Sequence, residues 1–185
     1  MNSSNSAPVL RRLRVLTWLF MVGLVLSGAT AIPLPAEVEA LANMTGARSL
    51  TETPNSTAAP VWAMWLVRVQ NALRETNATH PFLFYGTDWL AFGHFAIALA
   101  FLGALRDPVR NSWLFTFGLL ACVAVIPYAL TFGALRGIPL WWRFIDCSFG
   151  VFGFIPLWFC RKWARELEGV SEAQTGGRRI GVSTL

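Results

Sequence analysis

Charge is what this sequence has least of. Only 14% of its 185 residues are Asp, Glu, Lys or Arg, against 55% hydrophobic, and that leaves too little polar surface to coat a water-soluble domain of this length. Lysine is nearly missing: of fifteen basic residues, all but Lys162 are arginine. The arginines gather at the ends of apolar runs rather than along one face, which argues against a nucleic-acid partner despite the formal charge of +5. Histidine occurs only at His80 and His94. Cysteine occurs only at Cys122, Cys147 and Cys160, with no CxxC. A metal centre, a bis-histidine haem and a disulfide framework all lack the ligand spacing they need. Walker A, Rossmann, HExxH and GxSxG patterns are missing too, so nucleotide hydrolysis, hydride transfer and the common hydrolytic mechanisms have no support. No cofactor is expected.

Long apolar runs are abundant. A membrane-crossing helix needs about 20 mostly apolar residues, and four stretches meet or approach that length: residues 15–32, 86–105, 113–135 and 140–159. The expected fold is an all-α membrane protein with four transmembrane helices. The first stretch also fits a signal peptide, since Arg11, Arg12 and Arg14 form a basic leader and Ala29–Ala31 is an A-x-A pattern. Its apolar run is long for such a segment, and an uncleaved helix is the reading adopted.

Short loops rich in Arg and Lys stay cytoplasmic. With residues 1–14 inside, the inner side holds Arg11, Arg12, Arg14, Arg106, Arg110, Arg161, Lys162, Arg165, Arg178 and Arg179; the outer side holds Arg48, Arg68, Arg74, Arg136 and Arg143. Both termini are therefore expected in the cytoplasm, with a cytoplasmic turn at 106–112, a short outer loop at 136–139 and a tail at 160–185. That tail is polar and Gly-rich after Glu168 and reads as mostly disordered. Tryptophan prefers the membrane interface, and Trp18, Trp113, Trp158 and Trp163 fall at inner ends while Trp89, Trp141 and Trp142 fall at outer ends.

Residues 33–85 form the extracytoplasmic insert. A helix over about residues 61–76 is expected after Pro60, with Trp62, Trp65, Leu66, Val69 and Leu73 on one face. That face either lies on the bilayer surface, meets a partner, or caps the bundle. A shorter helix is expected around "PAEVEALANMTG", ending at Gly46, and "ARSLTETPNSTAA" reads as a linker. Asn43, Asn55 and Asn77 begin Asn-x-Ser/Thr triplets, which a Thr- and Asn-rich loop produces by chance.

Ionisable residues inside the apolar runs need an explanation. A rise of ~1.5 Å per residue places Arg143, Asp88 and Tyr128 roughly 27 Å from the inner edge, Asp146 roughly 22 Å and His94 roughly 18 Å. They form one polar layer in the outer half of a core about 30 Å thick. Arg143, Asp146, Gly150 and Gly153 fall within about 80° of arc, and glycines let helices approach closely, so this stripe is expected to face the bundle. Two accounts stand. In one, Asp88 or Asp146 is a base or proton carrier, His94 a relay, and Arg143 holds an anionic group, with Tyr128 and Arg136 beside it. In the other, Arg143 and Asp146 neutralise each other at i, i+3. In the turn "RDPVRN", Asp107 is expected to cap the next helix with Pro108 at its first position, and Arg106 and Arg110 to anchor topology. An anionic-lipid contact by these two arginines is the alternative. Pro127 and Pro156 predict kinks.

The segments "YGTDWLAFGH", "LRDPVRN" and "RGIPLWWRFIDCSFGVFGFIPL" resemble a group of small, uncharacterised bacterial membrane proteins, over roughly Pro81 to Trp158, with a weaker echo in "LSGATAIPL". The resemblance implies a multi-pass protein of the bacterial inner membrane and transfers no catalytic role. Two functions compete on these grounds. One is a non-catalytic accessory or scaffold subunit that binds other membrane proteins through its aromatic surface; the other is a small membrane enzyme or carrier using the outer polar layer.

Overall fold

The computed structural model describes the backbone of residues 6–52 and 59–181 and the side chains as far as residue 170. Among these residues every regular element is helical: α1 (Ser6–Ala31), α2 (Leu34–Met44), α3 (Ala47–Thr51), α4 (Val61–Thr79), a 3-10 turn (Pro81–Phe84), α5 (Tyr85–Arg106), α6 (Ser112–Leu135) and α7 (Leu140–Gly181). Four segments are long and apolar enough to cross a membrane: α1, the 3-10 turn with α5, α6, and α7 as far as Val170.

The chain divides into two compact units, Met1–Gly23 with Ala98–Leu185, and Leu24–Ile97. In the first, Leu13 of α1, Phe101 and Ala104 of α5, Leu114 and Phe115 of α6, and Leu157, Cys160 and Ala164 of α7 form one buried cluster. Phe20 and Phe115 each set a ring against Phe101, at centroid distances of 5.0 and 6.2 Å. Helices α6 and α7 form an antiparallel hairpin whose turn is set by Gly137. At φ +70°, a conformation that costs most L-residues about 1–2 kcal/mol, its N–H reaches the Ala134 carbonyl at 3.0 Å and the Ile138 N–H reaches the Gly133 carbonyl at 2.8 Å. This double closure ends α6 by satisfying its last carbonyls. Pro139 follows, and its carbonyl accepts the first N–H groups of α7 from Trp142 and Arg143.

The second unit holds a core of its own. Val38 and Ala42 of α2, Ala47 of α3, and Ala63 and Leu66 of α4 are buried together, with Val69 and Leu73 against them. Gly46, at φ +65°, turns the chain from α2 into α3. Arg74 pairs with Glu39 across α4 and α2, and Arg48 donates to Gln70 Oε1 at 2.9 Å.

Several boundaries depart from the sequence reading. Helix α1 starts at Ser6, upstream of the apolar run at 15, because Arg and Leu are strong helix formers and Pro8 is tolerated in a first turn. Helix α4 continues past residue 76 to Thr79, stopping one residue short of His80-Pro81, where the residue before a proline is driven out of the helical region. The expected linker contains α3, whose Ala47 is covered by α4, a tertiary contact that local composition does not announce; its second half, with Asn55, lies outside the described residues. The tail expected to be mostly disordered after Glu168 is helical to Gly181. "RKWARELE" is rich in helix formers, and Lys162 precedes Glu166 by one turn, so a helix already nucleated in the span propagates onward.

Candidate functional site

The α6–α7 seam shows what Arg143 does. On α6 the residues Leu130, Ile126 and Cys122 recur every four positions, and their backbone carbonyls line the side that faces α7. Opposite them, Arg143 Nη1 donates to the Leu130 carbonyl at 3.1 Å, and the Cys147 thiol points at the Ile126 carbonyl at 3.9 Å. Gly150 presses so closely on Cys122 that a Cβ there would lie 2.5 Å from its carbonyl oxygen. Two more glycines make room: a Cβ on Gly133 would meet the Arg143 stem at 2.5 Å, and one on Gly118 would meet Leu157 at 2.7 Å. The stripe Arg143, Gly150 and Gly153 does pack inward, with Gly153 against Cys122 Sγ. Arg143 is thus a tie between α7 and the backbone of α6, its stem seated on a glycine. Its Nε is buried without a hydrogen-bond partner.

The expected partnership with Asp146 is not formed. Among the described residues the single ion pair is Arg74–Glu39 and Asp146 makes no hydrogen bond. The physical reason is reach: α7 turns the Arg143 stem onto Gly133 and its head to Leu130, away from its own helix. Tyr128 stands 63% exposed with its ring 4.5 Å from Phe132. Arg136 is exposed at the C-cap of α6. None of these four polar side chains bonds to another.

Asp88 and His94 lie on α5 in the Leu24–Ile97 unit. Asp88 is exposed in the first turn, where a carboxylate complements the positive end of the helix dipole. His94 Nδ1 is 2.8 Å from the Leu90 carbonyl. A carbonyl only accepts, so Nδ1 carries a proton and a neutral ring keeps its lone pair on Nε2. The backbone beside His94 is packed on α1: a Cβ on Gly28 would meet His94 Cβ at 2.9 Å and the Ala91 carbonyl oxygen at 3.0 Å. Asp88 and His94 make no hydrogen bond to each other.

The expected face of α4 is divided. Leu66, Val69 and Leu73 are used inside the second unit's core. Trp65 is half-buried beneath the Arg68 guanidinium, 5.9 Å above its ring, and Trp62 is exposed together with Val61 and Met64.

At the other end of the first unit, Asp107 does not cap α6. Asn111 holds the N-cap position; Asp107 Oδ1 instead accepts the Arg110 N–H at 3.1 Å, closing the turn, while the Asn111 amide donates to the Gly103 and Asp107 carbonyls, both at 3.0 Å. The turn between α5 and α6 needs four residues more than a cap at Asp107 would allow. Nearby, Arg14 Nη2 donates to the Arg106 carbonyl at 3.4 Å and Arg161 Nε to Thr116 Oγ1 at 2.8 Å.

Sequence reasoning missed one buried polar knot. Thr17 and Cys160, both fully buried, stand 3.7 Å apart, and each turns to the Leu13 carbonyl, at 2.9 and 3.7 Å. A lone Thr in one apolar run and a lone Cys in another carry no signal that they meet.

Comparison of the chain with protein-family models, with curated proteins and with solved structures finds no match.

Proposed function

We propose that this chain is a four-span protein of the bacterial inner membrane with both termini cytoplasmic, and that it serves as a non-catalytic accessory or scaffold subunit for other membrane proteins. The observation that carries the reading is the double-sided apolar character of α4. One side completes the core of its own unit, while Val61, Trp62 and Met64 remain 65%, 39% and 45% exposed. Exposed clusters of large apolar side chains with an aromatic anchor are what interface cores are made of. Of the side chains an enzyme or carrier would use, Arg143 ties two helices together and His94 Nδ1 is bonded to its own helix.

Charge distribution supports the orientation. Ten of the fifteen Arg and Lys residues fall on the proposed inner side and five on the outer, and short loops rich in Arg and Lys are retained inside. On this topology, Asn77→Cys is labelled by an impermeant maleimide from outside intact cells and Arg110→Cys only after permeabilisation; the reverse pattern inverts the topology.

Native mass spectrometry of the protein extracted gently at its normal expression level tests the function. A stoichiometric partner lost in Trp62→Ser and Met64→Ser supports the scaffold reading. A partner-free species that holds a defined small molecule, lost in Asp146→Asn, replaces it with the enzyme or carrier reading.

A further inference from the structure

The most basic part of the chain lies at the start of α1, and no acidic residue precedes Glu37. Arg11, Arg12 and Arg14 pair with no carboxylate among the described residues. Among the described residues Arg11 and Arg12 make no hydrogen bond, and Arg14 uses one N–H on the carbonyl that ends α5. Three exposed guanidiniums within one helical turn repel one another and call for an anion.

Their surroundings define which anion. An open groove of about 720 Å³ runs along α1, with Arg11 and Arg14 midway along it, Leu10 on their N-terminal side, Trp18 and Leu19 on their C-terminal side, and Leu105 of α5 also on its wall. From Arg11 to Trp18 the helix descends roughly 10 Å, so an apolar floor continues past the charged pair. The other flank of α1 repeats the pattern: Arg11 and Arg12 stand over Leu16, with Trp163 of α7 opposite. Two grooves, each with a pair of arginines above an aliphatic floor and a tryptophan, share one composition. A guanidinium matches a phosphate bidentately, indole sits at headgroup level, and the floor matches a hydrocarbon chain.

We propose that these grooves bind anionic glycerophospholipid, the phosphodiester between the arginines and an acyl chain along α1. A soluble phosphate ester would leave the apolar floor uncovered, and a zwitterionic lipid would bring its own cation into the arginine cluster. The proposal rests on the membrane-spanning reading above.

The test uses the purified full chain in uncharged detergent, offered equal amounts of phosphatidylglycerol and phosphatidylcholine, with bound lipid counted by native mass spectrometry. Phosphatidylglycerol is expected to be retained at least about tenfold over phosphatidylcholine, and removing each arginine to weaken it roughly fivefold. Arg11→Gln/Arg14→Gln should therefore lose it. Arg110→Gln/Arg165→Gln, the same loss of charge outside the grooves, should keep it within about twofold. If the double variant fails to fold, Arg11→Gln alone serves, since Arg11 makes no hydrogen bond among the described residues. Equal retention of the two lipids, or equal loss in both double variants, overturns the proposal. Glycerol phosphate competing as well as the lipid would also overturn it, by assigning the grooves to free phosphate esters. Alkaline extraction of native membranes separates the two levels: a chain that stays in the pellet but shows no lipid preference defeats the grooves alone, whereas release into the supernatant defeats the membrane reading as well.

Discussion

Gly150→Ala is the sharpest probe of the α6–α7 seam. The added Cβ would lie 2.5 Å from the Cys122 carbonyl oxygen and 2.7 Å from Val125 Cγ1. Carbon and carbonyl oxygen approach no closer than about 3.3 Å without cost, so the seam must open by about 0.8 Å there. The Val125 side chain can turn aside, but the carbonyl moves only with α6. A gap of that size forfeits a quarter to a half of each facing dispersion contact, and overpacking of this kind costs about 1–3 kcal/mol. Alanine recovers about 1 kcal/mol through helix propensity. Gly93→Ala isolates that second effect, because nothing lies within 4 Å of a Cβ at Gly93. The two variants should therefore differ by the overpacking cost alone. At ~2–4 °C per kcal/mol for a chain of this size, Gly150→Ala melts about 2–12 °C below Gly93→Ala, measured by intrinsic fluorescence in one detergent. If Gly150→Ala melts at or above Gly93→Ala, the close approach of the two helices is wrong.

Three further outcomes follow from the same geometry. In a double-mutant cycle, Arg143→Gln should cost about 1.5–3 kcal/mol, the range for a charge-assisted hydrogen bond. Asp146→Asn should stay within about 0.5 kcal/mol of wild type, with the two effects additive; rescue of one by the other would restore the ion pair that the structure does not form. Gly137→Ala should destabilise by about 1–2 kcal/mol, because its φ of +70° is strained for any Cβ, and a melt no lower than wild type would contradict the double closure of that turn. Arg74 and Glu39 are 46% and 44% exposed, so their coupling should be about 0.2–1 kcal/mol and fade in molar salt; a larger, salt-independent value would show the pair to be buried.

The apolar spans were legible because apolar length is a property of one segment at a time. The expected 86–105 and 113–135 correspond to Tyr85–Arg106 and Ser112–Leu135, and α7 begins at Leu140 as expected. What hydropathy locates is the apolar part of a helix, and it is silent on how far the helix runs into polar sequence. That is why α1 begins before residue 15 and α7 runs on past residue 159. Helix α3 was invisible because five residues nucleate no helix alone; packing on α4 makes it. For Arg143 the stripe of small residues correctly indicated an inward face, but the acceptor is a backbone carbonyl on another helix. Asp146 is the partner that i, i+3 spacing proposes, since every residue has a carbonyl and pattern cannot single out Leu130. Asp107 shows the same limit: Asp-Pro suits a helix start or a closed turn equally well, and the choice falls to Asn111 and the Gly103 carbonyl.

The knot of Thr17, Leu13 and Cys160 has a consequence in time. Cys160 lies 147 residues beyond the Leu13 carbonyl it meets, and at synthesis rates of about 5–20 residues per second α1 waits roughly 7–30 s for that partner. Through the delay, a threonine hydroxyl in hydrocarbon would be an orphan. Thr17 avoids this by donating to Leu13 within its own helix at 2.9 Å, so α1 can enter the membrane complete in itself and accept the last helix when it arrives.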